Sequence, residues 1–251
     1  MIAKSRGLKR PRLFADETPD DLLHGELKLI QRRKGYRYSV DALLLADFVL
    51  PGIKSGHKIM DLGAGSGVIS LILAQRARPA EVVAVEIQKS LAVMARRNVA
   101  LNRLEGRVKI LNLDARKLRQ KFPAQSFDLI VSNPPFRKVG TGLLSPNRER
   151  ALARYELKLT MPELISICDH RLKPKGRLAL IYPFERLQEL VAALEKTSLR
   201  PGRLKFAFHK KGDPVPILFC LEAVKTRQAL KLEPPWFIES PKGRFSIDRD
   251  R

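Results

Sequence analysis

The chain has 251 residues, 44% hydrophobic and 29% charged, enough apolar content to bury a core and a length that suits one α/β domain with modest additions. No run of about 18 apolar residues could span a bilayer, the N-terminus has no apolar leader segment, and Cys168 and Cys220 alone exclude a disulfide scaffold. Lysine and arginine number 48 against 26 acids, a formal charge of +22, and a domain this basic repels itself unless an anionic partner lies against it.

Residues 1–14 carry Lys4, Arg6, Lys9, Arg10 and Arg12 with no acid. They read as the start of a flexible basic arm over residues 1–25. Leu27–Gln31 alternates like a short strand, Arg33–Tyr36 turns, and Ser39 can cap a helix through Ala42–Phe48 that Pro51-Gly52 ends. Strands and helices then alternate. The strands are Lys58–Asp61, Glu81–Glu86, Val108–Asn112, Phe127–Val131 and Arg177–Ile181. The helices are Val68–Ala77, Ser90–Leu101, Leu164–Leu172 and Glu185–Lys196, with a turn at Pro174–Gly176. Such alternation predicts an α/β domain over residues 26–225, a parallel sheet covered by helices on both faces. Leu204–Phe208 and Ile217–Leu221 read as a C-terminal antiparallel hairpin, and residues 226–251 as a loosely ordered basic tail.

Asp61-Leu62-Gly63-Ala64-Gly65-Ser66-Gly67 lies directly between a strand and a helix. Glycines there let the backbone bend sharply and approach a ligand near helix N-terminal amides. Their offsets of 0, 2 and 4 miss the dinucleotide fingerprint, and no Gly-Lys-Ser/Thr completes a P-loop. A tight turn with no ligand would use the same glycines. Glu86 ends the second strand and Asp114, followed by Ala115, the third. Alone, each could be a solvated strand-end acid. Together Asp61, Glu86 and Asp114 form a row at the carboxyl ends of consecutive strands, where open α/β sheets bind ligands. A row of acids suits a cationic nucleoside, S-adenosylmethionine.

Asn133-Pro134-Pro135-Phe136 follows the fourth strand. Two prolines hold the backbone extended. The Asn133 side-chain oxygen and the Pro134 carbonyl then face one way, two acceptors for a planar –NH₂ group, with Phe136 able to stack on the ring that bears it. The bland reading is a rigid proline loop with a core phenylalanine.

These segments resemble the class I S-adenosylmethionine-dependent methyltransferases that act on amino nitrogens, with a Rossmann-like seven-stranded sheet. The upstream Gln31–Ala46 and downstream Glu149–Glu156 are similar to the bacterial family that N6-methylates the adenine beside the anticodon of valine tRNA. The likeness runs from about residue 25 to 225. Two positions depart from it: phenylalanine at 136, where that family usually has tyrosine and rRNA guanine-N2 methyltransferases also have phenylalanine, and Tyr155, often histidine. The resemblance implies a cofactor site of Tyr38, Asp41, Asp61, Gly63, Gly65, Glu86, Ile87, Asp114, Ala115 and Asn133. Glu86 would hold the ribose and Asp114 the adenine amine. Asn133, Pro134 and Phe136 would form the catalytic site, and a flipped-out nucleotide would enter it.

RNA, most of all tRNA, is therefore the expected partner, with Arg6, Lys9, Arg10, Arg12, Arg148, Arg150 and Arg154 on its phosphates. A membrane surface is disfavoured, since no isolated lysine-faced amphipathic helix stands out. His24, His57, His170 and His209 lack metal-ligand spacing, so no metal is expected. Two buried-looking cysteines and no leader suit the cytoplasm. Guanine-N2 methylation of rRNA and glutamine-N5 methylation of a protein use the same planar amine, and the charge favours the polyanion. DNA adenine methylation would want a recognition insertion that is not visible. A non-catalytic RNA-binding protein on this scaffold would show damage to Asp61, Glu86 or Asn133, and none is damaged.

Overall fold

The computed structural model describes residues 11–35, 37–77, 81–135 and 159–239, with the backbone alone of 240, 243 and 244. A first hairpin pairs β1 (Glu17–Leu22) with β2 (Leu27–Arg32), and α1 (Val40–Val49) follows. Then come β3 (Lys58–Leu62), α2 (Val68–Arg76), β4 (Glu81–Glu86), α3 (Lys89–Leu101), β5 (Val108–Asn112) and β6 (Phe127–Ser132). The second half holds α4 (Met161–Arg171), β7 (Leu172–Pro183), α5 (Leu187–Glu195), β8 (Arg200–Phe208) and β9 (Leu218–Val224). Two short strands, β10 (Lys231–Leu232) and β11 (Trp236–Phe237), both pair with β8.

The main sheet runs β8-β9-β7-β6-β3-β4-β5, the expected seven strands, with β10 and β11 added at the β8 edge. β3 to β7 are parallel, and β9 is antiparallel to both β7 and β8. The C-terminal hairpin is thus present, but its second strand is inserted between β7 and β8. Both sheet faces are buried. Ile59, Val82, Ala84, Leu129 and Val131 face the layer of α1, α2 and α3, while Met60, Val83, Val85 and Ile130 face the layer of α4 and α5. That is why these strands read as unbroken apolar runs rather than alternating ones. Strand order reverses between β3 and β6, which opens the ligand crevice of such sheets beside their carboxyl ends.

Four details differ from the sequence reading. The expected arm over residues 1–25 gives way to β1 at Glu17, because Thr18–Leu22 can pair residue by residue with Leu27–Gln31. Arg97 of α3 then clamps buried Glu17 with two bonds, at 2.5 and 2.8 Å, over the Phe14 ring. The tail does not leave at residue 226: residues 231–237 line the free edge of β8, and the Trp236 indole donates to Asp47 on α1 at 3.0 Å. An apolar indole with one donor is driven inside when an acceptor waits there. Helix α4 starts at Met161, three residues before the expected Leu164, since Thr160 and Glu163 close a capping box. β7 begins at Leu172, with a bulge where Pro174–Gly176 was expected to turn. A Cβ on Gly176 would come within 2.9 Å of the Phe127 carbonyl, so the bulge needs glycine. Ser39 does sit at the N-cap of α1, though its side chain bonds no backbone amide of the helix.

Candidate active site

The glycine loop is built by its fastenings. Gly63, Gly65 and Gly67 have φ of +79°, +57° and +91°, a region that favours glycine. The amides of Gly63 and Ala64 donate to the Val85 carbonyl at 2.8 and 3.0 Å, which ties the loop to the end of β4. Glu86, buried, accepts the Gly65 amide on Oε2 at 2.8 Å and the Gln88 amide on Oε1 at 2.7 Å. Ile87 beside it is exposed, an apolar platform at the strand edge.

Asp61 is buried at the end of β3, and its Oδ2 accepts the Ser70 amide at 3.1 Å and hydroxyl at 2.6 Å. It therefore sits against the first turn of α2, where the helix dipole favours an anion. Its Oδ1 has no partner among the described residues. Complete burial pushes this carboxyl up to about 6, against the Ser70 hydrogen bonds and helped by the charge of Glu86. A buried acceptor without a donor, beside a glycine loop, fits a ligand that brings a cationic N–H.

Asp114 lies past the end of β5 and caps the short 3-10 helix Ala115–Gln120. It accepts the Arg116 amide at 3.0 Å and the guanidinium at 2.6 and 3.0 Å. Those bonds hold its carboxyl below the usual carboxylate range. Ala115 is half-buried against the α4 layer. Asp61, Glu86 and Asp114 thus end up along one strand edge, as expected.

Asn133 directly follows β6 on the other side of the crevice. It is half-buried and makes no hydrogen bond among the described residues. Pro134 is buried and Pro135 half-buried. The loop's exit is set by Ser132, whose hydroxyl donates to the Leu62 carbonyl at 2.6 Å and joins β6 to β3 beyond their last paired residues. Phe136, Arg148, Arg150 and Arg154, like Arg6, Lys9 and Arg10, lie outside the described residues. Arg12 is exposed, and its carbonyl accepts from Arg97.

Tyr38 and Asp41 stand farther along the edge. Asp41 is buried in the first turn of α1, and burial raises its carboxyl. Tyr38 lines a cavity of about 600 Å³ with Gln31, Val40, Leu43 and Ile238. Among the described residues no group of three or more His, Cys, Asp or Glu could hold a metal. No helix there is long and apolar enough to cross a membrane.

Sequence reasoning missed Asn98. Fully buried on α3, it accepts the Ile30 amide at 2.7 Å, donates to the Ile30 carbonyl at 3.1 Å, and donates to the Ser66 carbonyl at 2.9 Å. One side chain therefore locks β2 and the glycine loop together. Asn102, one turn on, does the same for both backbone groups of Lys28, at 2.7 and 2.8 Å. Helix residues four apart rise about 6 Å, close to the two-residue repeat of a strand, so the pair caps the edge of β2 like a neighbouring strand. The signal was present: an asparagine in the apolar stripe of Leu91, Met94 and Ala95.

Comparison with known proteins agrees with this geometry. The methyltransferase small domain family matches residues 41–197. A protein of Porphyromonas gingivalis named tRNA1(Val) (adenine(37)-N6)-methyltransferase is 43% identical over 133 residues, 52% of this chain and 51% of that one. One of the same name from Aeromonas salmonicida is 34% identical over 160 residues, 63% and 64% of the two chains. The chain thus spans between half and two thirds of the length of these curated relatives. A structure described as a predicted O-methyltransferase from Agrobacterium tumefaciens superposes with a TM-score of 0.63 at 22% identity, covering 84% of this chain and 92% of that one. A methyltransferase from Aquifex aeolicus gives 0.53 at 20% identity over 74% and 93%. These two likenesses establish the class I Rossmann-like fold. With the family match extending over more than half of its residues and across the whole crevice, the chain belongs to the methyltransferase small domain family.

Proposed function

We propose that this protein transfers a methyl group from S-adenosylmethionine to the exocyclic N6 of an adenine in tRNA, in the cytoplasm. One observation carries the reading: a half-buried Asn133 with no hydrogen bond among the described residues, followed by buried Pro134, stands across the crevice from an acid row in which Asp61 Oδ1 has no donor among those residues. The relatives named as tRNA adenine-N6 methyltransferases, and the charge of +22, support the substrate.

The cofactor would supply an electrophilic methyl group. Glu86, fixed by the Gly65 and Gln88 amides, would accept the ribose hydroxyls. Asp114 would accept the adenine amine while Arg116 holds it ionised. Asp61 and the 63–67 loop would face the methionine portion. Asn133 and the Pro134 carbonyl would accept both hydrogens of the target amine. That favours a pyramidal nitrogen and stabilises positive charge as it arrives there. Positioning in line supplies much of the remaining rate. No strong base is needed, because the methylated nitrogen sheds its proton readily. Phe136 would stack on the base, and the basic residues of the arm and of 148–154 would meet phosphates.

The test is incubation with labelled S-adenosylmethionine and separate pools of tRNA, rRNA, DNA and protein, followed by mass spectrometry of nucleosides. N6-methyladenosine from tRNA is the expected product. N2-methylguanosine from rRNA would shift the target to guanine, and label found only in protein would overturn the RNA reading.

A further inference from the structure

The strand edge is used on one side only. Asp61, Glu86 and Asp114 occupy the ends of β3, β4 and β5, and Asn133 follows β6, but the edge continues past β7, β9 and β8. A substrate whose amine sits at Asn133 has that remaining half to lie on.

Three segments cover it: residues 183–186 after β7, the loop 209–217 between β8 and β9, and residues 236–239. The 209–217 loop is shaped as a rigid tip. Its turn is closed by the Lys210 amide donating to Asp213 Oδ2 at 2.8 Å, with Gly212 at φ +97°. Its base is pinned by the Ile217 amide on the Ala207 carbonyl and the Phe184 amide on the Ile217 carbonyl. Lys210 is 61% exposed and reaches Glu239 only at 3.8 Å, while Lys211 is exposed with no ion-pair partner among the described residues. Val215 and Ile217, 54% and 41% exposed, present apolar surface beside them. Glu239 also borders the cavity of about 600 Å³ walled by Tyr38, Gln31 and Ile238. Half-buried Tyr38 leaves its hydroxyl unbonded among the described residues. The buried Gln31 amide is taken, its nitrogen by Asp20 and its oxygen by the Tyr38 amide, so the Tyr38 ring beside the cationic tip is the group suited to an unstacked base, with the lysines suited to phosphates.

We propose that the RNA runs across the β7–β9–β8 half of the strand edge, with Lys210 and Lys211 of the hairpin tip on its backbone phosphates. This rests on the RNA reading above and locates its substrate surface.

The test compares two double variants with the same change of charge. Lys210→Glu with Lys211→Glu alters the tip. Lys54→Glu with Lys175→Glu alters two exposed lysines at the opposite ends of the strands, before β3 and at the start of β7. Direct binding to bulk tRNA is measured across a salt series. For the tip variant the slope of log affinity against log salt should fall by about 1.4–1.8, two phosphates at 0.7–0.9 each. Its KM for tRNA should rise about tenfold or more, with kcat and S-adenosylmethionine affinity within about twofold of wild type. The opposite-edge variant should stay near the wild-type slope. Equal weakening by both variants, or none by the tip variant, overturns the proposal. A wild type that binds tRNA with this edge dependence but methylates none would overturn the activity and keep the surface. A protein that binds no RNA would overturn both.

Discussion

The Glu86 carboxylate accepts the backbone amide of Gly65 at 2.8 Å, so the acid that ends β4 also fastens the glycine loop that follows β3. The proposed ribose contact and the loop's own shape thus fall to one side chain. Glu86→Ala should cost roughly 1.5–3 kcal/mol of S-adenosylmethionine affinity, the range for hydrogen bonds to a charged group. Calorimetry reads it, and unchanged affinity would remove Glu86 from the site.

Asp61 makes affinity depend on pH. Its folded carboxyl is raised from 3.8 to about 6, so the ligand-free protein holds this proton more tightly than the unfolded chain. The stability it contributes is full below pH 3.8 and is lost as pH rises through about 6, to a total of about 3 kcal/mol. A cationic ligand needs the ionised form. Binding at pH 5 should therefore be about tenfold weaker than at pH 7.5, and Asp61→Asn should flatten that profile. A wild-type affinity that is level from pH 5 to 7.5 would contradict the assignment.

Asn133→Ala should lower turnover on the order of a hundredfold or more while S-adenosylmethionine affinity stays within a few-fold, by analogy with loss of a preorganised oxyanion-hole donor. Single-turnover rates and calorimetry on the same preparation separate the two. Near-normal turnover would sink the role.

Asn98→Ala strips partners from three buried backbone groups, the Ile30 amide and carbonyl and the Ser66 carbonyl. At about 1–3 kcal/mol for each unsatisfied group, with partial relaxation, stability should drop by about 3 kcal/mol. Urea unfolding checks this. A loss below about 1 kcal/mol would mean that water replaces the amide.

Trp236→Ala should cost about 3–5 kcal/mol, as expected for a buried aromatic truncated to alanine. The indole is 6% exposed, packs edge-on to Phe48 at 6.2 Å and donates to Asp47. Deleting residues 226–251 should lower stability by a similar amount. If truncation leaves thermal unfolding unchanged, the tail does not close the β8 edge.

By itself the sequence determined the parallel core and the strand ends at which Asp61, Glu86 and Asp114 lie. Val82–Val85 and Leu129–Val131 are apolar at consecutive positions because both sheet faces are buried, and that run is visible without a structure. Asp61, Glu86 and Asp114 were legible for a related reason: a charge that interrupts such a run marks the strand's end, and parallel strands end on one edge. Only the tertiary structure decided what lies far apart in sequence. The pairing of Glu17 with Arg97, of Ile30 with Asn98, and of Asp47 with Trp236 joins residues 80, 68 and 189 positions apart. In local sequence these are ordinary polar residues near a basic arm, a helix stripe and a proline-interrupted tail. Their burial became favourable only when a partner's donor or acceptor arrived from another element, since a buried polar group is stable in proportion to the hydrogen bonds that meet it.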